Sequence, residues 1–165
     1  MREIFVGKVV VNMGVGESGE ELEKARKILE QITNAKAVKT RAKVKQPKWN
    51  IRPGLEIGVK TTLRGKKAIE FLKNALLAKD NTLSKKNIDE RGNFGFGVRE
   101  HIELPKTKYD PKLGIKGFDV LVSLERPGYR VKRRKHCKKK IGRKHVISRK
   151  EAIEFVKEKF GVSVE

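Results

Sequence analysis

Gly14, Gly16 and Gly19 spell G-x-G-x-x-G between a β-branched run and an amphipathic segment. That is where backbone N–H groups at a helix N-terminus cradle a dinucleotide pyrophosphate. Lys36 and Lys39 follow at a distance that could meet a ribose 2′-phosphate, so the outline of an NADP-dependent enzyme is present. The surrounding charge opposes it. Glu17, Glu20, Glu21 and Glu23 crowd the same helix start, where they complement the helix dipole and would repel a pyrophosphate. No repeated βαβ units supply the other half of such a fold, so the glycines read as a tight turn and no cofactor is expected. Glu100, His101 and Glu103 form a second cluster. On a strand Glu100 and His101 point to opposite faces, and no nucleophile motif lies nearby, so His101 is expected to pack in the core or touch RNA rather than act as a general acid or base. Cys137 is the sole cysteine, which excludes an internal disulfide, and the lysines around His136 and Cys137 oppose a bound cation. The chain is not expected to be an enzyme or to hold a metal.

The remaining chemistry is electrostatic. Between Ala35 and Leu55 lie seven basic residues and no acid, and between Arg126 and Lys150 thirteen more, again with no acid. Removing those 20 from the 41 Lys and Arg leaves 21 against 20 Asp and Glu, so the net charge of +21 is almost wholly localised. Self-repulsion within such runs opposes compaction unless a polyanion supplies counter-charge, and nucleic acid is the expected partner. A membrane is not, because neither run carries an apolar face at helical spacing. The apolar stretch Val6 to Val15 is too short to span a bilayer and lacks a signal-peptide layout, so a cytoplasmic protein is expected.

These residues need elements to position them, and 165 residues suffice for one domain, 1–165, with a real core. Lys8 to Met13 reads as a buried strand and Gly14 to Gly19 as a turn. Ser18 with Glu21 forms a capping box, and Leu22, Ala25, Leu29 and Ile32 make one stripe, predicting a helix from about Gly19 to Thr33. Lys36 to Lys43 is a candidate strand, Gln46 to Pro53 an exposed loop, and Leu55 to Arg64 an alternating strand. A second helix follows Gly65 with Ile69, Leu72 and Leu76 inward, then an irregular segment from Asp80 to Glu90. Phe94 to Leu104 and Phe118 to Leu124 alternate as strands, and Ser148 with Glu151 caps a C-terminal helix over 148–161 with Ala152, Ile153, Val156 and Phe160 inward. The fold class is α+β: helices on one face of a mostly antiparallel sheet, with a basic extended segment and a C-terminal helix.

Two aromatic features stay open between packing and binding. Phe94 and Phe96 alternate with glycines, which suits either the core side of a strand or base stacking. Trp49, between Lys48 and Arg52, is expected to touch a partner, since an exposed aromatic otherwise costs solubility.

Five ordered blocks carry a more specific signal: Lys8 to Ser18 (KVVVNMGVGES), Thr40 to Lys43 (TRAK), Val59 to Gly65 (VKTTLRG), Gly92 to Ile102 (GNFGFGVREHI) and Arg126 to Val131 (RPGYRV). In this order they resemble the large-subunit ribosomal protein five family, the 5S rRNA-binding proteins of the central protuberance. The basic tail and the Arg-Pro-Gly block look like the archaeal and eukaryotic branch, and the lack of a long helix before Lys8 departs from the bacterial pattern.

The resemblance implies a non-enzymatic constituent of the cytoplasmic large subunit that binds 5S rRNA, touches large-subunit rRNA and reaches P-site tRNA, beside a second 5S-binding ribosomal protein. By position it assigns a 5S-facing surface to Asn12, Met13, Thr40, Arg41, Thr62, Arg64 and Asn93, and a tRNA-facing loop to Lys43, Val44, Lys45, Gln46, Pro47, Lys48 and Trp49. The tail would meet rRNA phosphates through Arg130, Lys132, Arg133, Arg134, Lys135, Lys138, Lys139, Lys140, Arg143 and Lys144. With almost no apolar residues it is expected to be disordered until RNA neutralises it. A free-standing nucleic-acid chaperone of the same basic character is the alternative.

Overall fold

A computed structural model describes residues 1–105, 107 and 109–165. Strand β1 (Phe5–Gly14) leads to helix α1 (Glu20–Thr33), strands β2 (Val38–Arg41) and β3 (Glu56–Leu63), and helix α2 (Gly65–Leu77). The short β4 (Thr82–Leu83), then β5 (Phe94–Val98), β6 (Phe118–Glu125), α3 (Arg149–Phe160) and β7 (Ser163–Val164) complete the order. Five strands form one sheet in the order β2-β3-β1-β6-β5, every neighbour antiparallel.

The two-residue period of a strand divides that sheet into two faces. Val9, Val11 and Met13 of β1, Val59 and Leu63 of β3, and Val120, Val122 and Leu124 of β6 are buried in the core. Over them lie Leu22, Ala25, Ile28 and Leu29 of α1 and Ala68, Phe71, Leu72, Ala75 and Leu76 of α2. α3 adds Ala152 and Val156 to the same cluster, so the α+β architecture is as the sequence predicts. The inward stripe of α2 is rotated slightly: Ile69 is only partly buried, and Ala68 with Phe71 takes its place.

Four local expectations are corrected. α1 is capped by the backbone of Gly19 at φ 110° with no side-chain cap, because the Glu21 carboxylate instead accepts from Lys116 Nζ at 2.5 Å and Lys24 Nζ at 2.8 Å. The strand beginning at Phe94 stops at Val98; His101 turns into a 3₁₀ segment, His101–Glu103. There it is buried, its backbone N–H donating to Lys116 O and its Nδ1 accepting from Lys116 N, which settles it as a packed histidine. Within 80–90, β4 pairs in parallel with β7, tying α3 back to the end of α2. The tail is also more structured than its composition suggests. Tyr129–Lys132 forms a 3₁₀ turn, Ile141 packs against the core, and Lys139 N donates to Val131 O, so one apolar anchor, a turn and a backbone bond give 130–144 a defined course. By contrast the Ser148–Glu151 capping box forms as predicted.

Candidate nucleic-acid interface

The second face of the sheet has no helix over it. Asn12 stands opposite Lys60 on β3 and Asp119 on β6, while Val38 of β2 pairs with Lys60 and Gly97 of β5 with Asp119. This row runs Val38, Lys60, Asn12, Asp119, Gly97 across all five strands. A second row joins Thr62, Val10, Leu121 and Gly95, and Lys8 faces Ser123. Thr40 lies on the same side, opposite Gly58. The open face therefore carries amides, hydroxyls, lysines and one carboxylate, Asp119, around a small apolar centre. Such a surface can meet sugar, phosphate and exposed base edges.

Gly58 leaves room for the Met13 carbonyl of β1 and the Thr40 hydroxyl of β2. A Cβ there would stand 2.8 Å from Met13 O and 2.9 Å from Thr40 Oγ1, both below real contact distances. The Thr40 hydroxyl thus sits directly over backbone.

Of the seven residues assigned to this surface by resemblance, Asn12, Thr40 and Thr62 lie together on the open face. Met13 does not: it is 1% exposed on the core side, because the side chain after Asn12 must point the other way. Arg41 lies past a register shift at the end of β2 and reaches Glu56 at 3.6 Å. Glu56 also holds Lys39, whose ammonium bonds Glu23 at 2.7 Å; that contact and Glu56 raise the Lys39 pKa. Arg64 is exposed, with Nη1 donating to Gly7 O at 3.4 Å. Asn93 is braced, its Nδ2 donating to Asp89 Oδ2 at 2.8 Å and its Oδ1 accepting from Ser123 Oγ at 3.1 Å. Lys8 and Lys60, which the resemblance does not assign, lie on this face too, as their alternate positions along two strands require.

The two acid-free segments lie at opposite ends of the strands. Residues 43–49 are exposed throughout, and the loop is closed by paired backbone bonds between Gln46 and Ile51, with a 3₁₀ turn Pro47–Trp49 at its tip. Trp49 is 70% exposed. At the other end all ten tail cations from Arg130 to Lys144 are exposed. Among the described residues, the ion pairs formed by either segment involve Lys39, Arg41, Arg126 and Arg133; the other cations of the runs have none.

Arg126 is not surface charge. It is 5% exposed, with Nη2 bonded to Glu151 at 2.7 Å, and the Tyr129 hydroxyl beside it donates to His145 O and accepts from Ile147 N. Arg133, assigned to phosphate, bonds the buried Glu125 at 2.7 Å and is half-exposed.

Two family models cover almost all of this arrangement: ribosomal protein L5 matches residues 1–52, and the C-terminal model of the same ribosomal family matches residues 56–155. The chain belongs to the ribosomal protein L5 family. Curated relatives named large ribosomal subunit protein uL5 match along the whole length. The protein of Nanoarchaeum equitans is 50% identical over 165 residues, covering 99% of this chain and 97% of its own. Those of Methanococcus aeolicus and Archaeoglobus fulgidus are also 50% identical, covering 97% and 100% of this chain and 90% and 92% of their own. The L5 family is one of ribosomal proteins and not of enzymes. Its two models meet between Arg52 and Glu56, at the exposed loop where β3 begins. No helix among the described residues is long and apolar enough to cross a membrane.

Proposed function

We propose that this chain is a structural constituent of the large ribosomal subunit, a single RNA-binding domain over 1–165 that binds 5S rRNA and holds it in the central protuberance. The observation that carries this reading is the open sheet face with Asn12, Thr40 and Thr62 bracketed by two exposed, acid-free segments. In the proposed division of work, side chains on the face recognise irregular RNA, since A-form major grooves are closed to side chains. The segments neutralise phosphates. Residues 130–144 contact large-subunit rRNA, the loop Lys43–Trp49 reaches P-site tRNA, and a second 5S-binding ribosomal protein is a neighbour. If roughly 6 to 10 phosphates are engaged, affinity falls by about three to five decades between 50 and 200 mM salt, by extension from DNA.

The same unpaired charge favours a second reading, a general nucleic-acid binder that tolerates any RNA. Assembly distinguishes the two. Large subunits made in cells depleted of this chain are expected to sediment with little 5S rRNA, and restoring the chain restores it. Subunits that keep stoichiometric 5S rRNA without the chain contradict the proposed role.

A further inference from the structure

The open face does not end at Asn93 and Ser123; it drops into two adjoining cavities that share these residues. The first, about 410 Å³, has an apolar floor of Val10, Gly95 and Leu121, with Asp89 and Asn93 on its rim. The second, about 470 Å³, lies between the sheet and the tail, and its cations are Arg91, Lys132 and Lys140. Each volume is within the range of small-molecule pockets.

The two halves differ in chemistry. Leu121 is 51% exposed and its side chain lies across Gly95 on the neighbouring strand, filling the space that a Cβ there would need, with Cδ2 2.7 Å from that position. A planar, partly apolar object can lie there. The rim is held in advance: Asp89 accepts from Arg91 N, Asn93 N and Asn93 Nδ2, so its charge is already spent on fixed donors. The other cavity contains no acid, and Lys132 Nζ is held 4.8 Å over the Tyr129 ring. An anion fits there.

We infer that these joined cavities receive one unpaired nucleotide of ribosomal RNA, its base on the Leu121 side chain where it covers Gly95 and its phosphate among Arg91, Lys132 and Lys140. The inference rests on the RNA-binding reading above. It changes the role of the tail, which supplies a wall of a shaped pocket through Lys132, Lys140 and Ile141 as well as diffuse charge. Base stacking and phosphate neutralisation then act at one place.

The test is amide chemical-shift mapping of the full chain titrated with a single-stranded RNA hexanucleotide, followed by the double variant Arg91→Gln, Lys140→Gln. The expected result is a cluster of shifts at Gly95, Leu121 and Ser123, with affinity reduced at least tenfold in that variant and less in the control Lys138→Gln, Lys139→Gln, whose charge change is equal. Shifts confined to 130–144, or equal losses in both double variants, overturn the pocket. A binding experiment with 5S rRNA separates the two claims. Wild type that prefers 5S rRNA while the hexanucleotide leaves Gly95 unmoved sinks the pocket alone, and a pocket that fills without any 5S preference sinks the 5S reading alone.

Discussion

Arg126 Nη2 donates to Glu151 Oε1 at 2.7 Å, joining the end of β6 to the first turn of α3. The other carboxylate oxygen of Glu151 accepts from Ser148 N at 2.9 Å and Ser148 Oγ at 3.0 Å. The Ser148 N–H first, then Arg126, hold the Glu151 carboxyl at about 2 against an ordinary 4.5, with burial opposing them. A carboxyl with a lowered folded-state pKa adds stability above pH 4.5 that is lost as pH falls towards 2. The Glu151 side chain is 42% exposed, so solvent screening reduces what these bonds contribute. Glu151→Gln is therefore expected to lower Tm by about 2–4 °C near neutrality, for a loss of about 1 kcal/mol. Differential scanning fluorimetry should show the gap closing between about pH 4.5 and 2.

Gly58→Ala places a methyl against Met13 O and Thr40 Oγ1. The Thr40 hydroxyl on β2 can rotate away, but the Met13 carbonyl is backbone of β1 and cannot, so β3 must shift against β1. Overpacking of this kind costs about 1–3 kcal/mol. Chemical denaturation is expected to show that loss, with hydrogen exchange increased along the β1–β3 pair more than at β5.

Asn12 and Met13 are adjacent on β1 and face opposite ways, so their substitutions should have opposite phenotypes. Asn12→Ala is expected to keep the wild-type Tm and lose preference for 5S rRNA over other RNA. Met13→Ala leaves a cavity and should cost about 2–5 kcal/mol of stability while keeping that preference where folded. Paired melting and competition curves check this; a loss of preference from Met13→Ala alone contradicts the face assignment.

The exposed tail cations Lys135, Lys138 and Lys139 form no ion pair among the described residues. Replacing all three by Gln should weaken binding to all RNAs alike. The slope of log affinity against log salt should fall by about 2 to 3, or roughly 0.7 to 0.9 for each phosphate no longer neutralised. Binding curves at four salt concentrations measure it.

Asn12 was assigned by resemblance, and its place on the open face agrees with a single amide that interrupts an apolar strand; the charge runs were legible because they are free of acids. The side of Met13 follows from the same alternation once Asn12 is placed, and the resemblance, which puts both on one surface, conflicts with it. Ser18 carries a correct capping pattern, but Glu21 bonds Lys116, 95 positions away, a contact no local pattern contains. Arg126 reads as one cation in a run of thirteen, and only its burial against Glu151 shows that it holds α3 in place. The paired cavities are equally invisible in sequence, because residues near 91, 121 and 140 meet there.

The most direct test of the central claim is binding of the purified chain to 5S rRNA at about 150 and 400 mM salt, against an unrelated structured RNA of equal length. 5S rRNA is expected to win by more than about a hundredfold, roughly 2.7 kcal/mol, at both salt concentrations. Equal competition by the unrelated RNA contradicts recognition by the sheet face and leaves a general nucleic-acid binder.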